Sequence, residues 1–235
     1  MASKIDTAYF RLRASQPEYA RRESSMLRWL RDRIDERCYV SWSAGKDSMV
    51  VAHAAHWLCG VPILMVDPGV PIHWTDEDKA RMIGYVQDQG WNWRLFPWQK
   101  FRAPTSENAA EYRKQIHADM FVDLTAHATA QGLDRRITGM RASESTTRHV
   151  FLTASRGETE NTLQPLWNWS TQDVWTYTVK HGLPWLSIYD HLGPDARNGL
   201  IGKNGREHRR MAYLKRYYPA AFQRACELFE ARDYV

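Results

Sequence analysis

Cys38-Tyr39-Val40-Ser41-Trp42-Ser43-Ala44-Gly45-Lys46-Asp47-Ser48-Met49-Val50 is the stretch whose reading decides the fold. Residues 38–42 are short, apolar and rich in strand formers, and read as a buried strand. Residues 43–48 are small or charged and read as a loop. Apolar residues then return at helical spacing, Val50, Ala54 and Leu58, until Gly60 stops them. Small residues let a backbone curl closely around a ligand. A helix start offers unpaired N–H groups and the positive end of its dipole, which attract phosphate oxygens. Lys46 adds a full charge, and Ser43 and Ser48 add hydroxyls. The segment therefore predicts a phosphate cradle. It is not a Walker A loop, because the GxxxxGK[ST] spacing is absent.

Working outward, the same alternation recurs. Residues 61–66 read as a second buried strand ended by Asp67-Pro68-Gly69. Residues 74–89 read as a helix stopped by Gly90, and 92–96 as a third strand. A long helix over 107–131 precedes Gly132, and a short strand over 136–138 runs into Gly139. Four strand–helix repeats imply an α/β fold with a mostly parallel, doubly wound sheet and helices on both faces. Ligands of such sheets sit at the carboxyl ends of the strands. The loops after Trp42, Val66, Phe96 and Thr138 are therefore expected to meet in one place. Upstream, 1–20 reads as a polar arm or short helix, and 20–37 as an amphipathic helix with Leu27, Leu30 and Ile34 on one face. Downstream, 150–153 and 162–166 read as short strands, and Ser170 caps a helix over 171–181. Two closing helices, 205–218 and 220–232, are divided by Pro219.

The 235 residues are long enough for a real core without disulfides. With 43% hydrophobic and 25% charged residues, wholesale disorder is excluded. No run of 18 apolar residues exists, so no transmembrane helix or membrane partner is expected. Residues 1–13 lack the apolar core of a secretory signal. Net charge is +5, and arginine outnumbers lysine 24 to 8. Arginine suits bidentate contact with phosphate and carboxylate, although a bias towards arginine codons explains the excess equally well. Cys38, Cys59 and Cys226 form no CxxC, so no disulfide framework, zinc ribbon or Fe–S cluster is expected from this chain. Isolated thiols in odd number suit a reducing, cytoplasmic setting.

Ser43 to Ser48 resembles the PP-loop, SGGxDS, of the adenine-nucleotide alpha-hydrolase-like superfamily. Ala44 stands where that pattern usually has its first glycine, and would narrow the cradle if the position needs positive φ. Leu64-Met65-Val66-Asp67-Pro68-Gly69 is similar to the strand ending in DTG of phosphoadenosine phosphosulfate (PAPS) reductases and of the ATP sulfurylase small subunit. Gly139-Met140-Arg141-Ala142-Ser143-Glu144-Ser145, then Arg148, is similar to their GxRxxES…R loop. Pro165-Leu166, Trp169 and Gln172-Asp173-Val174-Trp175-Thr176-Tyr177 are similar to their PL…W…DVWxY stretch. The chain is thus identified as a PAPS reductase family member over roughly 38–189. The resemblance divides it into an N-terminal arm and helix, 1–37, a PP-loop nucleotide-binding α/β domain, 38–189, and a basic C-terminal loop with helices, 190–235, packed on the same domain. It also implies that an adenine nucleotide, ATP with magnesium, is the substrate.

The candidate nucleotide-binding residues are Ser41, Ser43, Ala44, Gly45, Lys46, Asp47, Ser48, Asp67, Gly139, Arg141 and Arg148. Lys46, Asp47 and Arg141 are the candidate catalytic ones. Two guanidinium groups at a strand end can clamp phosphate, sulfate or another anion. Asp67 suits a magnesium ion or a ribose hydroxyl, and equally a turn cap. Asp47 either touches ligand or caps its helix. Glu144 can pair with Arg141 or Arg148 and order their loop. Trp175 and Tyr177 read as core, and His53 and His56 do not read as a metal site. The C-terminal ECGxH-like segment of PAPS reductases is missing, and Cys226 reads as a buried, inert thiol.

Residues 197–224 hold eight basic residues and one acid, Glu207. The segment reads as a solvated helix face, a mobile loop over 202–210 that closes on the site, or a nucleic-acid contact. The leading expectation is an ATP pyrophosphatase that adenylylates an acceptor in sulfur metabolism or in sulfur modification of nucleic acid, such as DNA phosphorothioation. It would work with a sulfur-donor or nucleic-acid partner, the latter through the basic residues 197–224, as a monomer or an oligomer. The alternatives are a PAPS reductase or sulfotransferase, and a non-catalytic nucleotide- or DNA-binding accessory protein.

Overall fold

The computed structural model describes residues 3–67, 75–98, 109–196 and 205–229. Its frame is a six-stranded sheet: β1 (Cys38–Trp42), β2 (Ile63–Asp67), β3 (Trp93–Pro97), β4 (Arg135–Ile137), β5 (Glu158–Thr159) and β6 (Thr162–Leu163). The order across the sheet is β3-β2-β1-β4-β6-β5, with only the β5–β6 pair antiparallel. The chain leaves β1 towards β2 on one side and β4 lies on the other. The strand order therefore reverses at β1 and β4, the place where open α/β sheets hold their ligands.

Side-chain alternation along the strands sorts the two faces. Cys38, Val40 and Trp42 of β1 and Ile63 and Met65 of β2 join the main core. That core includes α2 (Pro17–Arg31), α3 (Lys46–Cys59) and α7 (Thr171–Lys180). Tyr39 and Leu64 point the other way and pack on Leu124 and Ala128 of α5 (Ala109–Thr129). Helices thus cover both faces. Gly60 stops α3 in the left-handed conformation at φ 63°.

The remaining elements are α1 (Thr7–Ala14), α4 (Asp76–Asp88), α6 (Thr146–Ser155), α8 (Ile188–Leu192), α9 (Gly205–Tyr217) and α10 (Pro219–Phe229). Both N-terminal helices are tied to α7 through Asp173. That carboxylate pairs with Arg13 of α1 and, at 2.9 Å, with Arg22 of α2. It also accepts from the Ser170 backbone N–H and hydroxyl in a capping box. Asp78 of α4 accepts from the Ser187 backbone N–H and hydroxyl, and Ser187 meets the Tyr213 hydroxyl of α9 at 2.6 Å.

Several sequence expectations are corrected. Residues 150–153 are not a strand but part of α6: Ser145 caps that helix and accepts from the Arg148 N–H, which outweighs the β-branched pair of propensities. The strand expected over 162–166 keeps only Thr162–Leu163, because the chain turns at 165–168. The helix expected over 20–37 runs earlier, since Pro17 starts it. Within the expected loop 202–210, residues 205–210 are helical backbone of α9. Pro68, Gly69, Trp74, Glu107, Asn108, 197–204 and 230–232 lie outside the described residues, as do the loops expected after Val66 and Phe96 beyond residue 98.

Candidate functional site

The loop between β1 and α3 lies at the strand-order reversal. Ala44 adopts φ 56°, the left-handed region that normally selects glycine, and its methyl is fully buried. The position does need positive φ, and alanine meets it at a cost of about 1 kcal/mol. The Ser48 hydroxyl donates to the Gly45 carbonyl at 3.0 Å and accepts from the Ser43 N–H at 3.2 Å. These bonds close the loop on itself. Gly45, the N-cap of α3, supplies no side-chain cap. The Lys46 N–H, at the first position of α3, is directed to the Tyr189 hydroxyl at 3.4 Å. By contrast α1, α4, α6 and α7 are capped by Asp6, Thr75, Ser145 and Ser170.

Two buried cations converge on one carboxylate here. Asp47 Oδ1 accepts from Arg141 Nε at 2.6 Å, and Asp47 Oδ2 lies 3.1 Å from Lys46 Nζ. Lys46 is 6% and Arg141 3% exposed. Burial pulls the Lys46 ammonium down, but Tyr189 and Asp47 beside it leave its pKa above the ordinary value. Asp47 therefore does not cap its helix; it bridges two cations. Arg141 is held further by Ser143 Oγ at 2.9 Å and Thr171 Oγ1 at 3.4 Å.

Gly139 explains how β4 and the loop are fitted together. A Cβ there would lie 2.7 Å from the Asp47 carbonyl carbon and 2.9 Å from the Ser48 nitrogen. Only glycine lets the two backbones approach so closely. Beside it the Thr138 hydroxyl is buried with no hydrogen-bond partner among the described residues. Buried hydroxyls are ordinarily satisfied, so an atom of a bound molecule at this rim would complete it.

The other candidates fall at different distances from this centre. Ser41 lies within β1, paired with Leu64, rather than in the loop. Asp67 ends β2, two residues beyond Met65, the partner of Trp42; its backbone is therefore level with the loop. Arg148 projects from α6 and pairs with Glu144, whose Oε2 also accepts the Arg141 N–H at 3.1 Å. Glu144 thus orders the loop by holding both. Trp175 and Tyr177 are buried core, with Trp175 Nε1 donating to the Pro194 carbonyl at 3.0 Å. His53 Nδ1 meets the Tyr177 hydroxyl at 2.9 Å. Among the described residues no three His, Cys, Asp or Glu side chains gather as a metal site. Cys226 is buried in the main core on α10.

Sequence reasoning missed Tyr189, whose ring also faces Lys46 Nζ at 5.4 Å. Its signal was faint: it sits at the end of the recognisable stretch, in a five-residue helix with little pattern.

Fold and site first define a class, an α/β sheet with a basic, glycine-bearing loop at its strand-order reversal. The chain belongs to the phosphoadenosine phosphosulfate reductase domain family, whose model matches residues 37–193. No curated protein matches it. Among solved structures it is similar to the U34-tRNA thiolase NcsA from Methanococcus maripaludis, described with its 4Fe–4S cluster. That likeness has a TM-score of 0.54 at 11% identity, over 92% of this chain and 79% of that one, and shows the fold. It is also similar to the phosphoadenylyl-sulfate reductase from Candida auris in a phosphate complex, at 15% identity and TM-score 0.47, over 71% and 83%.

Proposed function

We propose that the protein binds the phosphates of ATP–magnesium between the 43–48 loop and Arg141, and cleaves the nucleotide between its α and β phosphates. The observation that carries this reading is the pair of buried cations, Lys46 and Arg141, sharing one carboxylate at an uncapped helix start. One half-buried carboxylate balances only one of them. A phosphate entering there meets preorganised positive charge at low solvent exposure, where electrostatic stabilisation is strongest.

In this scheme an acceptor oxygen forms a bond to Pα as the bond to the β-phosphate bridging oxygen breaks. Negative charge grows on the departing pyrophosphate. The Lys46 ammonium, the Arg141 guanidinium and the first N–H groups of α3 stabilise it. Asp67, whose backbone is level with the loop, is by its chemistry the carboxylate suited to the magnesium that accompanies the nucleotide. The product is an adenylylated acceptor in sulfur chemistry, in keeping with the family.

The family also favours a second reading, binding of PAPS and sulfonate transfer or reduction. A reducing nucleophile must be an accessible thiolate, and Cys226 is buried in the core. A binding protein without catalysis is the third reading, resting on Ala44. Product analysis decides among them. AMP and pyrophosphate formed from ATP support the first. Sulfite or sulfonate transfer from PAPS supports the second. Nucleotide recovered unchanged with every acceptor supports the third.

A further inference from the structure

Tyr189 reaches the 43–48 loop from α8, 143 residues beyond Lys46. Its ring is buried, meets Trp175 edge-on at 5.3 Å and faces Lys46 Nζ at 5.4 Å. Its hydroxyl lies 3.4 Å from the Lys46 nitrogen, and 3.9 Å from where a Cβ on Gly45 would stand. A well-made N–H···O bond spans about 2.7–3.2 Å. The hydroxyl is therefore a loose cap on a helix start that has no side-chain cap of its own. Contacts on either side of Tyr189 fix its place independently of the loop. Asp78 accepts from the Ser187 N–H and hydroxyl, Asp190 accepts from Trp185 Nε1 at 3.0 Å, and the Asp190 carbonyl accepts from the Lys4 N–H at 2.9 Å.

We propose that Tyr189 is a further phosphate-binding residue, whose hydroxyl donates to the same phosphate oxygen that the Lys46 N–H binds. The role rests on the reading that phosphate enters this loop, and not on the cleavage of ATP. An oxygen about 2.8 Å from each fits two donors that stand 3.4 Å apart. A phenolic O–H turns about its C–O bond, so it passes from accepting the N–H to donating to the anion without moving the side chain. Held in advance by α8, it costs little reorganisation when the phosphate arrives. The ring has a second effect: it covers Lys46 and keeps water from the place where the ammonium meets the phosphate, which strengthens that attraction. The donor is neutral, so it adds to the anion site without adding a third like charge beside Lys46 and Arg141.

The test is calorimetric titration of the parent, Tyr189→Phe and Tyr177→Phe with inorganic pyrophosphate and with ATP–magnesium. Tyr189→Phe keeps the ring against Trp175 and Lys46 and melts like the parent, but binds both ligands about tenfold more weakly. Tyr177→Phe removes another buried hydroxyl that touches α3, through His53 Nδ1 at 2.9 Å, and binds both ligands as the parent does. Hydrogen exchange of the parent adds a reading that needs no variant: pyrophosphate slows exchange of the Lys46 amide. The proposal is overturned by undiminished pyrophosphate binding in Tyr189→Phe, by an equal loss in Tyr177→Phe, by a Lys46 amide that pyrophosphate leaves unprotected, or by a parent that binds neither ligand. Undiminished binding by Tyr189→Phe in a protein that cleaves ATP removes this role and keeps the adenylylation reading. Pyrophosphate binding that depends on Tyr189 in a protein that leaves ATP whole with every acceptor does the reverse.

Discussion

Gly139→Ala isolates the fit between β4 and the loop. The new Cβ would stand 2.7 Å from the Asp47 carbonyl carbon, 2.8 Å from its oxygen and 2.9 Å from the Ser48 nitrogen. Ordinary contact begins at 3.4 Å, so the backbones must part by about 0.7 Å. All three opposing atoms are backbone, and none can swing aside as a side chain would. Overpacking of this kind costs about 1–3 kcal/mol. In a chain of this size that lowers the melting temperature by about 2–12 °C. The displaced residues are Asp47 and Ser48, so the cradle opens where Lys46 and Arg141 converge. A misplacement approaching 1 Å weakens function about a hundredfold. Thermal unfolding and ATP–magnesium calorimetry together read the effect. Gly84→Ala is the control: nothing lies within 4 Å of that position in α4, and the substitution should stabilise by about 1 kcal/mol. A Gly139→Ala protein that melts and binds nucleotide like the parent would refute the claim that β4 buttresses the loop.

Three further outcomes follow from the same contacts. At Ala44 the relief of left-handed strain in Ala44→Gly is offset by a lost buried methyl, so stability moves by less than about 1 kcal/mol. Ala44→Val, β-branched at φ 56° and fully buried, should cost more than about 2 kcal/mol by chemical denaturation. Asp173→Asn removes the shared partner of Arg13 and Arg22 and should cost about 2 kcal/mol, with the N-terminal helices becoming protease-sensitive first. Burial, with His181 and His56 nearby, lowers the His53 pKa to about 4, against the opposing pull of Glu23. The unfolded chain then binds the extra proton, so stability falls as pH drops from about 6.5 towards 4, by at most about 1.4 kcal/mol per unit. His53→Gln should flatten that part of the pH–stability curve; an unchanged slope would contradict a buried neutral His53.

Much of this was legible in the chain. The strand–loop–helix at 38–60 and the GMRASES segment announced themselves, because small residues at a strand end have few other uses. Gly139 and Ala44 carried a local signal, and the structure supplied its cause: a close backbone approach and a positive φ. Other parts were hidden because they depend on distant partners. Asp47 reads as a ligand contact or a helix cap until Arg141, far along the chain, is brought beside it. Residues 150–153 read as a strand because Val150 and Phe151 look buried by type, whereas Ser145 starts a helix that exposes both. Tyr189 is invisible without the fold, since its value lies in touching the Lys46 N–H.

The most direct test of the central claim is calorimetric titration of the protein and of its Lys46→Ala and Arg141→Ala variants with ATP–magnesium and with PAPS. The account predicts binding of ATP–magnesium by the parent, with affinity at least tenfold weaker in each variant while both remain folded. Failure of the parent to bind either nucleotide, or undiminished binding by both variants, would contradict it.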